Sequence, residues 1–190
     1  MSLTDMPNRL IPHIFRIDSN RINMRGNLPC MNQLENWHNK EVIIMDISEF
    51  AYNEVSRGEG LRSKLRKEKA EELFIGETSV SRMDKITITE IVSLLFPKGI
   101  RAKNESNDVM IVFNAINDYR ILVTSDGRSK RQPGGILGNA PKLHQKFGLL
   151  VMSDEEAVQF IRQSVKNRDD NARWVSRVTG QKLPEWAGQD

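Results

Sequence analysis

Four short apolar runs punctuate the chain: Ile14-Phe15-Arg16-Ile17, Val42-Ile43-Ile44-Met45, Ile121-Leu122-Val123-Thr124 and Leu149-Leu150-Val151-Met152. Most are continuous and rich in β-branched residues rather than alternating, the pattern of strands covered on both faces, and so they predict a parallel sheet. Parallel neighbours need crossovers, and helical spacing appears between the runs. Met31, Leu34 and Trp37 share one face of a helix over 31–38, and Val109, Val112, Phe113 and Ile116 share one over 107–118. Ser153 followed by Glu156 is a capping-box sequence, and Ala157, Phe160, Ile161 and Val165 supply the buried stripe behind it. Ser48 is placed to cap a helix running to Val55. The expected fold class is α/β, with a central parallel sheet between helices.

Residues 56–99 are less regular and read as a helical insertion. Arg57, Arg62, Lys64, Arg66, Lys67 and Lys69 alternate with Glu59, Glu68, Glu71 and Glu72, the mixture of a solvated helix with ion pairs three and four residues apart. Thr87 and Glu90 predict a capped second helix that uses Ile91, Leu94 and Leu95 and ends at Pro97. The stretch from Gly127 to Pro141 holds Pro133, Gly134, Gly135 and Gly138 and reads as irregular. Beyond Val165 the chain is polar, with Trp174 and Trp186 as its large apolar anchors. The organisation expected is one domain over 1–166 and a C-terminal tail over 167–190.

Composition narrows the chemistry. At 190 residues the chain fits one ordinary domain, and 28 Lys plus Arg against 25 Asp plus Glu leave a net charge of only +3. The single cysteine, Cys30, excludes an internal disulfide and multi-cysteine metal sites, and His13, His38 and His144 are too scattered for an imidazole centre. Cys30 reads as a small apolar residue near a helix start, His144 as a helix-surface residue and Trp37 as core. No run is apolar enough to span a bilayer, and residues 1–10 carry no signal-peptide core, so a cytoplasmic protein without membrane contact is expected. An aromatic content of 6% argues against a base-stacking platform.

Ligands of open parallel sheets gather beyond the carboxyl ends of the strands. Asp18 follows the first strand directly and Asp126 follows the third with one residue between, while Glu54 lies late in the Ser48 helix and Asp108 at the start of its own. Taken singly, each has an ordinary explanation: a cap, a turn or a solvated position. Taken together, ionised carboxylates in one place repel, and a hard divalent cation such as Mg²⁺ or Mn²⁺ answers that repulsion while orienting water for attack on phosphorus.

In order and context these residues (Ile17-Asp18-Ser19-Asn20, Ser48 to Glu54, Asp108 opening an amphipathic helix, Leu122-Val123-Thr124-Ser125-Asp126) resemble the PIN-domain family of metal-dependent nucleases. The similarity runs from about Ile14 to Ile161. It implies a three-layer α/β/α PIN-like fold and cleavage of RNA phosphodiesters by an endoribonuclease using Mg²⁺ or Mn²⁺. Asp18, Glu54, Asp108 and Asp126 take the four acidic, metal-holding places, Thr124 the hydroxyl place two before the last acid, and Asn20 a polar, substrate-facing place near the first. Glu105 and Asp118 lie close enough to Asp108 that a shifted register exchanges them. Family toxins are held by a cognate antitoxin, so the resemblance adds a protein inhibitor to RNA as partner, and pairing into a homodimer is common among similar folds. The alternative is a catalytically inactive PIN-like module that binds nucleic acid or protein.

Between Arg120 and Lys146 stand six cations and one acid, Asp126. Arg128, Lys130 and Arg131, on the glycine-rich stretch just past that acid, are the expected phosphate-backbone contacts, with affinity that falls as salt rises.

Overall fold

The computed structural model describes residues 5–23, 25–57, 59–74, 84–127, 132 and 134–190. Its sheet has four parallel strands, β1 (Ile14–Ile17), β2 (Ile44–Asp46), β3 (Ile121–Val123) and β4 (Val151–Met152), in the order β2-β1-β3-β4. Phe15 stands opposite Met45 on one side and Ile121 on the other, and Val123 opposite Met152. β1 is therefore the central strand from which the chain first moves to one side and later returns on the other. The carboxyl ends of β1 and β3 form the crevice at this reversal, where open α/β sheets leave room for a ligand.

Helices cover both faces, giving the three-layer α/β/α arrangement expected. The helices are α1 (Pro29–Asn39), α2 (Glu49–Val55), α3 (Leu61–Glu71), α4 (Asp84–Leu95), α5 (Lys103–Asn117), α6 (Gly135–Gly138), α7 (Ala140–Phe147) and α8 (Asp154–Thr179), with a 3-10 turn at Ser19–Arg21. α1 packs on α8, whereas α2 and α4 pack on α5. Phe15, Ile17, Leu122 and Val123 are sealed between these layers, each burial contributing about 1.5–3 kcal/mol. Trp37 is core, as expected, and Cys30 is half-buried in the first turn of α1. Among the described residues no helix is long and apolar enough to cross a membrane.

Several expected boundaries move, each for a local reason. β2 begins two residues late and takes in Asp46, whose carboxylate is held by Arg16 of β1. α5 begins at Lys103 rather than 107, because Glu105 reaches back to the amides of Arg101 and Ala102 (2.6 and 3.1 Å) and ties down the first turn; Asp108 thus lies in the second turn, not the first. Thr87 is inside α4 rather than at its cap, since the helix already runs from Asp84, while Ile91 and Leu95 are buried as expected. The stretch read as irregular contains α6 and the start of α7, where Pro141 occupies the first turn, a position that needs no N–H donor.

The largest difference is α8. It opens on the Ser153–Glu156 capping box, crosses the expected 166/167 boundary and stops only at Gly180, left-handed at φ 72°. The residues after it fold back onto the body. Asp190 accepts from Arg9 (2.7 Å) and Arg168 (3.0 Å), Gly188 donates to Asp169 (2.7 Å), and the Trp186 ring lies 4.4 Å from the Arg168 guanidinium.

Candidate functional site

The sheet ladder delivers the first two groups of the site. Asp18 N–H donates to the Val123 carbonyl (3.0 Å) and Thr124 N–H to that of Met152 (3.0 Å), so both residues are fixed at the strand ends before any side-chain contact is counted. Both are buried. The Thr124 hydroxyl donates to Asp18 Oδ2 at 2.5 Å, the length of a charge-assisted bond, and accepts from the Asp126 backbone N–H at 2.9 Å. Asn20 closes the clasp: its Nδ2 donates to Asp18 Oδ2 (2.7 Å) and Thr124 Oγ1 (3.2 Å), and its Oδ1 accepts from the Ser125 backbone N–H and hydroxyl (3.0 and 3.1 Å). Asn20, expected to face substrate, is placed by these bonds as a brace between the β1 and β3 ends.

Asp126 is held from the far side of its loop. Its Oδ2 accepts from the Ile136 N–H (2.8 Å) and its carbonyl from the Leu137 N–H (3.0 Å), both in α6. Gly135 makes this approach feasible. At φ 59° its missing Cβ would fall 2.2 Å from the Gly127 carbonyl oxygen, so any side chain would force the loop away from Asp126. The remaining two acids come from the helices beside the crevice. Ser48 caps α2 through the Ala51 N–H (3.3 Å), as expected, and α2 packs against both the 3-10 turn after Asp18 and α5, which brings Glu54 and Asp108 to the same place.

Asp18 and Asp108 feel the charges of the other acids. Asp108, half-buried, is pushed up to about 8 by burial and by the charges of Asp126, Asp18 and Glu54. Asp18 is pushed up to about 6, chiefly by burial, with Glu54 and Asp126 adding to it and the Thr124 hydrogen bond opposing. Burial also raises Asp126, against the hydrogen bonds from the Ile136 amide and the Gln132 side chain. None of the ion pairs among the described residues involves any of the four. The register alternatives are closed, because Glu105 caps its own helix and Asp118 pairs with Arg16 at 2.6 Å.

The donor set fits a hard divalent ion in chemistry: carboxylates at a strand-end crevice, short of positive charge. An ion there would be held through one or two carboxylates with waters between, since no three of the four come within 4.8 Å of one another. Three carboxylates bound directly would converge more tightly, yet among the described residues the only trio of His, Cys, Asp or Glu ligand atoms within 4.8 Å of one another is Cys30, Asp154 and Glu155. That trio already has a cation, since Arg21 pairs with Asp154 at 3.0 Å.

The expected basic strip divides. Arg120 stands at the opposite end of β3 and pairs with Asp46 (3.0 Å), and Lys146 pairs with Glu90 (3.0 Å), so neither faces the acids as a free charge. Arg128, Lys130 and Arg131, the expected backbone contacts, lie outside the described residues. His144 is on the exposed surface of α7, as expected. The contributions of Gly135, Gln132 and the Ile136 amide escape sequence reasoning; the Gly134-Gly135 pair is the trace they leave in the sequence.

The raised carboxyls carry a stability consequence. Folded Asp18 and Asp108 hold protons more tightly than an unfolded Asp near 3.8, so their contribution to stability is complete below that value and is lost as pH rises through about 6 and then about 8. In EDTA the melting temperature is expected to fall by several degrees from about pH 5 to about pH 8.5, with Asp18 contributing on the order of 1–2 kcal/mol. The depressed carboxyls Asp190 and Glu155 titrate below this window and do not offset the trend. Thermal melts across the range check it, and a flat profile would contradict the clustering. In comparisons with known proteins, the chain matches no family model and no curated protein.

Proposed function

We propose that this protein is a divalent-metal-dependent endoribonuclease of the PIN-like kind. One observation carries the reading: four carboxylates from β1, α2, α5 and the β3 loop meet at the sheet's reversal point with no ion-paired cation among the described residues. Structural acids usually come with a partner, as Asp46 does here with Arg16 and Arg120. The choice of RNA rests on the resemblance set out from the sequence.

Asp18 and Asp126 would hold Mg²⁺ or Mn²⁺, with Glu54 and Asp108 completing the site directly or through water. The ion, when bound, supplies positive charge to the phosphate and to the leaving oxygen. Thr124 and Asn20 keep the Asp18 carboxylate aimed at the crevice, and α6 does the same for Asp126. In the hydrolysis, a water oxygen forms a bond to phosphorus as the P–O3′ bond breaks. The water's proton passes to a cluster carboxylate, the leaving oxygen takes one from solvent, and the products are a 5′-phosphate and a 3′-hydroxyl.

The lack of any three of these carboxylates within 4.8 Å of one another favours a second reading, a PIN-like module that binds without cleaving. Titrating Mn²⁺ while following thermal stability, then incubating the protein with a mixed RNA pool, separates the two. The nuclease is expected to melt several degrees higher in millimolar Mn²⁺ and to cleave. RNA binding with no metal response and no cleavage would select the module.

A further inference from the structure

The charged helix α3 follows its sequence expectation almost throughout. Lys64 pairs with Glu68 (3.9 Å), Lys67 with Glu71 (3.7 Å), and Lys69 with both Glu72 (3.0 Å) and Glu35 (3.4 Å). Arg66 departs from the pattern. It is half-buried, has no carboxylate partner among the described residues, and makes one hydrogen bond, from Nη2 to the carbonyl of Ser19 at 3.0 Å. Ser19 directly follows Asp18, so the guanidinium stands one peptide group from the most buried of the four acids. Among the described side chains of α3 it is the one cation bonded to the turn that follows β1.

Its position is fixed by packing. Ala70 and Leu73 are buried, Ile47 N–H donates to the Leu73 carbonyl (3.1 Å), and the Tyr52 ring of α2 stacks on Phe74 at 4.9 Å. An arginine that is held in place, bonded to a neutral carbonyl and beside an anionic cluster without being quenched by it, keeps donors for another acceptor. The planar fork of N–H groups matches two phosphate oxygens.

We propose that Arg66 binds a non-bridging oxygen of the phosphodiester presented to the four carboxylates, and so positions the substrate strand. The assignment rests on the nuclease reading and deepens it: the acids hold the ion, and the phosphate is gripped between that ion and Arg66. A strand lying there follows the edge between α3 and the β1 carboxyl end.

The test compares wild-type protein with Arg66→Gln and Arg66→Lys. Binding of a fluorescein-labelled single-stranded RNA is measured in Ca²⁺ at several salt concentrations, cleavage in Mn²⁺, and melting temperature with and without Mn²⁺. Arg66→Gln is expected to weaken RNA binding by about tenfold or more and to lower the salt slope by about 1. It should raise KM in cleavage and keep the wild-type melting temperature and Mn²⁺ response. Arg66→Lys should recover the salt slope and only part of the affinity, because a point charge replaces the fork. RNA binding and KM unchanged in Arg66→Gln, or a lost Mn²⁺ response, would overturn the assignment while leaving the nuclease reading intact. Wild-type protein that neither responds to Mn²⁺ nor cleaves would overturn both.

Discussion

An Asp18→Asn variant is expected to cleave RNA on the order of a thousandfold more slowly than wild type, or worse, and to lose most of its thermal response to Mn²⁺. The fold should survive, because the substitution keeps the shape of a group whose surroundings already favour its uncharged form: burial pushes Asp18 up to about 6. Thr124 and Asn20 both donate to the same oxygen, Oδ2, and an amide oxygen there accepts from both. Above about pH 7 in EDTA the variant should melt higher than wild type, since a buried charge beside other carboxylates is gone. A gain in metal-free stability together with a loss of metal response and of cleavage is a signature that simple misfolding does not produce. Glu155→Gln is the control, since Glu155 belongs to the separate Cys30–Asp154–Glu155 group at the start of α8. If that variant abolishes the Mn²⁺ response and Asp18→Asn leaves it whole, the ion binds at the wrong cluster for the proposed chemistry.

Sequence reasoning reached the sheet because buried parallel strands are written as local apolar runs, and it reached Asp18, Thr124 and Asp126 because a strand end is also a local feature. Glu54 and Asp108 were placed near them by the helix starts that follow the strands, and the resemblance strengthened that expectation; the packing of α2 and α5 that sets their approach is written in no spacing. What escaped altogether was non-local. Arg66 looks like its lysine neighbours in the sequence, and the Ser19 carbonyl that singles it out lies 47 residues away. Gly135 is one glycine among several until the Asp126–Gly127 backbone is found against it. The polar content of α8 hid its continuation past Val165, because Ala172 and Val175 keep the buried stripe going while charged residues fill the turns between. Nothing in the first run marks Arg16 as paired, because its partner Asp46 lies just beyond the expected end of the second run.

That Arg16–Asp46 pair sets the second large expectation. Arg16 is about 5% exposed and Asp46 about 1%, and the guanidinium meets both carboxylate oxygens at 2.8 and 2.7 Å across the β1–β2 register. Arg16 also reaches Asp118 (2.6 Å) and the Asn114 carbonyl (3.0 Å), while Arg120 adds a second cation on Asp46 (3.0 Å), so one network ties β1, β2 and the end of α5. Burial alone would lower the Arg16 pKa, but the two carboxylates outweigh it and leave the group above its usual value, charged at any working pH. Asp46→Ala therefore takes both carboxylate bonds from one side of a buried guanidinium, which keeps only Asp118 and the Asn114 carbonyl, and the expected loss is about 3 kcal/mol, a large share of the roughly 5–15 kcal/mol that holds a domain together. Urea melts measure it. Arg16→Met with Asp46→Leu removes both charges and should restore most of the stability, since well-packed apolar substitutes for a buried pair are often neutral or better. If the single variant melts like wild type, the network is not holding the strands. Its loss also has a functional reach: Arg16 lies two residues before Asp18 on the same strand, so the single variant should bind Mn²⁺ more weakly even where it remains folded, and the double variant should regain that affinity with its stability.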